Sequence, residues 1–81
     1  MPAQRRTPGD WLRWAERQYA RRRIALGQVA TTAHDEALYL LLHTLGLPLD
    51  SPPAVLRRKL TEAEAAKVAE IFRRRLEEHV P

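Results

Sequence analysis

The sequence predicts an all-α fold: a small bundle of three long helices, with a short fourth helix between the second and third. Three observations carry this. Three segments repeat apolar residues at the 3.6-residue period. Each opens on a threonine placed to cap a helix. The composition is dominated by alanine, leucine, arginine and glutamate, with three glycines and one phenylalanine in 81 residues, which favours helix over strand.

The first helix is predicted over about Pro8–Leu26. Thr7 can cap the free N–H groups, Pro8 fits the first helical position, and Asp10 faces the positive helix end. Trp11, Leu12, Ala15, Tyr19 and Leu26 share one face, and Gly27 is a plausible stop. Thr32 caps the second helix, with Asp35 and Glu36 in its first turn and Ala37, Leu38, Leu41, Leu42 and Leu45 on one face. Tyr39 and Leu40 add apolar surface elsewhere, which marks the helix as central. Gly46 can end it in the left-handed conformation, with Leu47 folding back onto Leu42.

A stiff proline-containing connector, Leu47 to Pro53, precedes a short helix at about Ala54–Arg58 that buries Val55 and Leu56. Thr61 and Glu64 form a capping box for the third helix, about Glu62–His79, before Pro81. Ala65, Val68, Ala69, Phe72 and Leu76 share its apolar face, flanked by Ile71. Glu70–Arg74, Arg73–Glu77 and Arg74–Glu78 have the spacing of surface ion pairs. Met1–Arg6 is expected to be a disordered arm, leaving 7–81 as a single helical domain.

Charge is unevenly placed. Residues 1–26 carry seven arginines against Asp10 and Glu16, a net of +5, whereas 27–56 net −3 and 57–81 net +2. Arg21-Arg22-Arg23 reads either as a solvated helix face or as a contact for RNA or an acidic partner, since Arg13 and Arg17 extend it along the same helix. Trp11 reads as core. Trp14 lies off the main stripe and either covers a neighbouring element or marks an interface. The candidate partner-contact residues are therefore Arg13, Trp14, Arg17, Arg21, Arg22 and Arg23.

Little in the sequence suggests chemistry. There is no cysteine, hence no disulfide or thiolate site. His34 and His43 fall on opposite sides of one helix and do not converge on a metal. Ser51, the only serine, sits between an aspartate and two prolines, as helix caps do. Asp35-Glu36 reads as favouring a helix dipole, and Arg73-Arg74-Arg75 as a screened surface among glutamates. The three glycines are isolated, so no phosphate-cradling loop is expected. The longest apolar run, Ala37–Leu42, is too short to span a membrane. No catalytic, cofactor-binding or metal-binding residue is assigned, and the expected compartment is the cytoplasm.

Several short motifs, in order, extend the reading: Leu12-Arg13-Trp14, Asp35-Glu36-Ala37, Leu47-Pro48-Leu49-Asp50 with Pro52, Leu60-Thr61 with Glu64, and Arg74-Arg75 before Val80-Pro81. Together they resemble the N-terminal domain of the HemK-like protein-(glutamine-N5) methyltransferases, most closely the PrmB branch. One departure is Val29–His34, which lacks a tryptophan found before Asp-Glu-Ala in some relatives. The resemblance implies a helical substrate-recognition domain, inactive alone. In that family it precedes a Rossmann-like domain, absent from this chain, that binds S-adenosylmethionine and methylates a glutamine of a large-subunit ribosomal protein. It implies as partners that ribosomal protein and the catalytic domain, with rRNA as a candidate contact, and no membrane. The alternatives are a free-standing basic nucleic-acid-binding module and a protein adaptor using Trp14 and Tyr39.

Overall fold

The computed structural model describes residues 5–26 and 32–78. The chain forms helices α1 (Pro8–Arg22), α2 (Ala33–Leu45) and α3 (Glu62–Glu78), with a 3-10 turn at Pro53–Arg57 before α3 and no strand among the described residues. The result is a compact all-α globule with a radius of gyration of 11.8 Å.

The helix starts follow from the predicted caps. The Thr7 hydroxyl accepts from the Asp10 N–H at 3.2 Å, and the Asp10 carboxylate accepts from the Thr7 N–H at 3.1 Å. Thr32 accepts from the Asp35 N–H at 3.0 Å. Thr61 and Glu64 exchange the same reciprocal bonds, at 3.0 and 3.1 Å. Each satisfies backbone donors that the first helical turn leaves open. At the end of α2, Gly46 adopts φ +71°, and the Leu47 N–H reaches back to the Leu42 carbonyl at 2.9 Å, as the Gly46-Leu47-Pro48 order predicts.

The core draws on all three helices. Trp11, Leu12, Ala15 and Tyr19 of α1, Ala37, Leu40, Leu41 and Leu42 of α2, and Val68, Phe72 and Leu76 of α3 are buried. Phe72 lies centrally, stacked on Trp11 at 6.3 Å between centroids. Leu40, placed off the main face by the periodicity, is also buried, whereas Ala69, placed on the apolar face of α3, is exposed. A central helix contacted from two sides buries more than one stripe.

Three expectations are corrected. First, α1 ends at Arg22, not near Leu26. Arg23 takes a left-handed conformation (φ 51°), and the Ile24 N–H bonds to the Tyr19 carbonyl at 3.1 Å. The chain turns there so that Ile24 packs on the core, which leaves Leu26 exposed rather than on the α1 stripe. Second, the short helix is a 3-10 turn in which Val55 and Leu56 are only half-buried. Its Leu56 carbonyl lies 3.0 Å from where a Cβ of Gly9 would stand. A residue without a side chain at the first turn of α1 therefore admits the close approach. Third, Arg5 and Arg6, assigned from the sequence to the arm, make defined contacts. The Arg6 carbonyl accepts from the Leu60 N–H at 2.8 Å, and the Arg5 guanidinium lies 4.6 and 4.7 Å from the ring centroids of Trp11 and Trp14. Met1–Gln4, Gly27, His79, Val80 and Pro81, and the Glu78 side chain expected to pair with Arg74, lie outside what is described.

Surface pairing along α3 centres on Arg73, which binds Glu70 at 2.8 Å and Glu77 at 3.4 Å. Arg58 grips Glu64 through two guanidinium nitrogens, at 3.1 and 2.8 Å. Those bonds and the Thr61 N–H hold the Glu64 carboxyl down at about 2, against an ordinary value of 4.5.

Two predictions follow from this packing. Leu41 is fully buried, so Leu41→Ala should lower stability in denaturant unfolding by about 2–5 kcal/mol through a core cavity. Glu64 has a folded pKa below its unfolded value. Its contribution is therefore complete above pH 4.5 and is lost as pH falls toward 2. Glu64→Gln should correspondingly flatten the dependence of unfolding midpoint on pH across that window. A variant that keeps the parent's acid slope there would refute the assignment.

Candidate partner surface and the buried carboxylate that positions it

The charged residues divide into a buried set and an exposed set. The buried set was not anticipated. The sequence pattern puts Glu36 at a helix dipole and Arg75 on a screened surface, yet they are 1% and 4% exposed. The Glu36 carboxylate accepts from Arg75 Nε at 2.5 Å and from Nη2 at 3.1 Å, a side-on pair that ties α2 to α3. The Tyr19 hydroxyl of α1 donates to the same carboxylate, and Arg75 Nη2 also donates to the Ala25 carbonyl just beyond α1. Arg75 further lies 5.7 Å from the Tyr19 ring centroid.

Three elements thus converge on one carboxylate whose oxygens are all occupied. Burial, and then the Glu36 carboxylate, push the Tyr19 hydroxyl far above the ordinary phenol range. The bonds to Glu36 raise Arg75 above its ordinary value despite burial. The cluster is closed to solvent and its polar atoms are engaged with one another, so it positions helices. Periodicity could have flagged both residues, because Glu36 is one turn before Leu40 on α2 and Arg75 lies three residues after Phe72 on α3.

The exposed set is spread over α1 and α3, and on α1 it is entirely basic. Arg13, Arg17 and Arg21 follow at four-residue intervals and are exposed, forming one stripe along the outer face. Arg13 holds Asp10 at 2.6 Å. Arg22 is exposed and directs Nη1 to the Leu76 carbonyl at 3.5 Å, while Arg23 sits at the exposed left-handed cap. Trp14 is half-buried and packs edge-on against Trp11 at 5.4 Å and Phe72 at 6.2 Å. It therefore covers the core from beneath Arg5, apart from the stripe. The structure thus brings Arg13, Arg17 and Arg21 together and gives Trp14, Arg22 and Arg23 separate local roles.

His34 pairs with Glu16 at 2.9 Å, and His43 stacks on Tyr39. Among the described residues no group of three or more His, Asp or Glu side chains could hold a metal. Both described glycines are occupied, Gly9 by the Leu56 approach and Gly46 by a helix end. With no strand among the described residues, they do not fit an adenosylmethionine site, which needs a strand-to-helix glycine turn. An apolar cleft of about 120 Å³ lies between α2 and the proline connector, lined by Leu38, Leu42, Leu49, Pro52 and Val55. No helix among the described residues is long and apolar enough to cross a membrane.

Comparison with known proteins decides the relationship. Over 72 residues, 89% of the chain, the sequence is 44% identical to a ribosomal protein uL3 glutamine methyltransferase of Neisseria gonorrhoeae. The chain is homologous to the N-terminal quarter of such enzymes. A protein of the same name from Burkholderia pseudomallei is 38% identical over 80 residues, 99% of the chain, and one from Bordetella pertussis is 36% identical over 72. The chain spans about a quarter of the length of these relatives, 24% of the first and 26% of the second. No protein-family profile matches the chain, and no solved structure gives a significant match.

Removing one partner of the buried pair should be costly. Glu36→Ala or Arg75→Ala is expected to destabilise the fold by about 3–5 kcal/mol, because each strands a buried charge. Tyr19→Phe, which deletes one bond to that charge, should cost about 1.5–3 kcal/mol. Pairing Glu36→Leu with Arg75→Met should recover most of the single-variant loss in urea unfolding. A double variant as unstable as the sum of the singles would show that the pair is not the coupling element.

Proposed function

We propose that this chain is the N-terminal substrate-recognition domain of an S-adenosylmethionine-dependent methyltransferase that modifies a glutamine side chain of the large-subunit ribosomal protein uL3 in the cytoplasm. The observation that carries this reading is the 44% identity over 72 residues to an enzyme named for that reaction. The methyl donor and the substrate glutamine amide are handled by the remaining three-quarters of such an enzyme. The helical domain contributes a rigid surface, since α1, α2 and α3 are locked through Glu36 and Arg75. Binding energy from a surface remote from the reacting amide can hold the substrate in register and so raise the rate of transfer.

A domain exchange tests the reading. The Neisseria gonorrhoeae enzyme with its N-terminal quarter replaced by this chain should methylate uL3, as followed by transfer of a labelled methyl group. The same enzyme lacking that quarter should methylate uL3 at least about tenfold more slowly while still binding S-adenosylmethionine, the pattern of lost remote binding energy. Unchanged methylation by the shortened enzyme would overturn the recognition role. Failure of the exchanged enzyme, with its methyl-donor binding intact, would overturn the placement of this chain in that role.

A further inference from the structure

We propose that the Arg13–Arg17–Arg21 stripe of α1 is an RNA-backbone surface, so that the domain engages its ribosomal substrate together with rRNA; the choice of RNA over DNA rests on the methyltransferase reading above. The argument begins with how the cations are used. Arg58 is bound by Glu64, Arg73 by Glu70 and Glu77, and Arg75 by Glu36. Each of these arginines has an internal partner. On the outer face of α1, Arg17 and Arg21 are exposed and form no ion pair among the described residues. Arg13 gives one nitrogen to Asp10 and remains two-thirds exposed.

The arrangement suits a linear polyanion. Four-residue spacing sets successive guanidiniums about 6 Å apart along the axis, so the stripe runs about 12 Å. A nucleic-acid strand carries a charge at every step, so several phosphates can meet the stripe at once. All seven basic residues of positions 1–26 are arginine, whose planar fork matches phosphate oxygens through paired hydrogen bonds. The cationic surface also extends beyond α1. The Arg13 guanidinium and the Leu56 carbonyl both crowd the same point on Gly9, at 3.5 and 3.0 Å. This places one end of the stripe beside the 3-10 turn, where Arg57 at its end and Lys59 just after it are exposed.

The sign of the charge favours the same conclusion. The face is basic, so it attracts a polyanion and repels a cationic partner. Attraction of this kind speeds encounter with RNA.

The test uses the 81-residue chain and a labelled 20-nucleotide single-stranded RNA, with binding followed by anisotropy at several salt concentrations. Binding should weaken steeply with salt. Arg17→Gln with Arg21→Gln should make the slope of log affinity against log salt shallower by about 1.4, the share of two phosphate contacts on a single strand. Lys67→Gln with Arg73→Gln removes the same charge from α3 and should leave the slope at the parent value. Circular dichroism confirms that both variants fold. The proposal is overturned by absence of binding at about 50 mM salt, by equal loss in the two double variants, or by polyglutamate competing as well as RNA. None of these readouts involves methyl transfer, so failure here leaves the domain-exchange result to stand by itself.

Discussion

Everything in this fold hangs from the Glu36 carboxylate. It is almost wholly removed from water, which for a lone charge would be prohibitive, and it is stable there because Oε2 accepts from both Tyr19 and Arg75 and Oε1 accepts from Arg75. The Tyr19 hydroxyl comes from α1 and the Arg75 guanidinium from α3, while Arg75 reaches on to the Ala25 carbonyl. An apolar cluster of leucines and aromatics can be repacked in several ways. A carboxylate with these partners has one satisfactory arrangement, so the pair fixes the relative placement of helices whose leucine-rich faces would tolerate sliding. This division of labour suits a small domain: apolar burial supplies the driving force, and one ionic contact supplies the register.

The local grammar of the sequence was readable because it is written in neighbouring residues. Thr7 with Asp10, Thr61 with Glu64, and Gly46-Leu47-Pro48 each define a start or a stop within four positions, and each appears as expected. The features that escaped are those set by distant residues. Nothing near Arg23 announces that α1 ends there. The turn is imposed by Ile24 entering the core and by Arg75 taking the Ala25 carbonyl, from 50 residues away. Glu36 and Arg75 were misplaced for the same reason. Each follows another charged residue, Asp35 or Arg74, which masks its place beside the apolar face, and only their meeting across 39 positions makes burial tolerable.

The arginine stripe proposed as a partner surface was legible in another sense. Helical spacing alone aligned Arg13, Arg17 and Arg21, because exposed positions on a regular helix need no tertiary information. It could not separate Trp14 from them. Trp14 stands next to Arg13 in sequence, yet its ring turns inward toward Trp11 and Phe72 while Arg5 lies across its face. Recognition by ordered arginines on a stiff helix also differs from recognition by a loose basic tail. The backbone positions from which these side chains start are fixed by the helix, so less freedom would be lost on engaging a ligand.

The long reach of the buried pair also shapes how the protein comes into being. Translation delivers Glu36 first and Arg75 39 residues later, an interval of about 2–8 s at ordinary elongation rates. Individual helices form in about a microsecond, but segments as short as α1 and α2 are marginal in water until they pack. During that interval Glu36 keeps its water, and the surface that α3 will cover, with Trp11 and Leu41 in it, stays open. The nascent chain therefore cannot lock progressively from its beginning. The fold is completed when α3 arrives and Arg75 joins the Glu36 carboxylate.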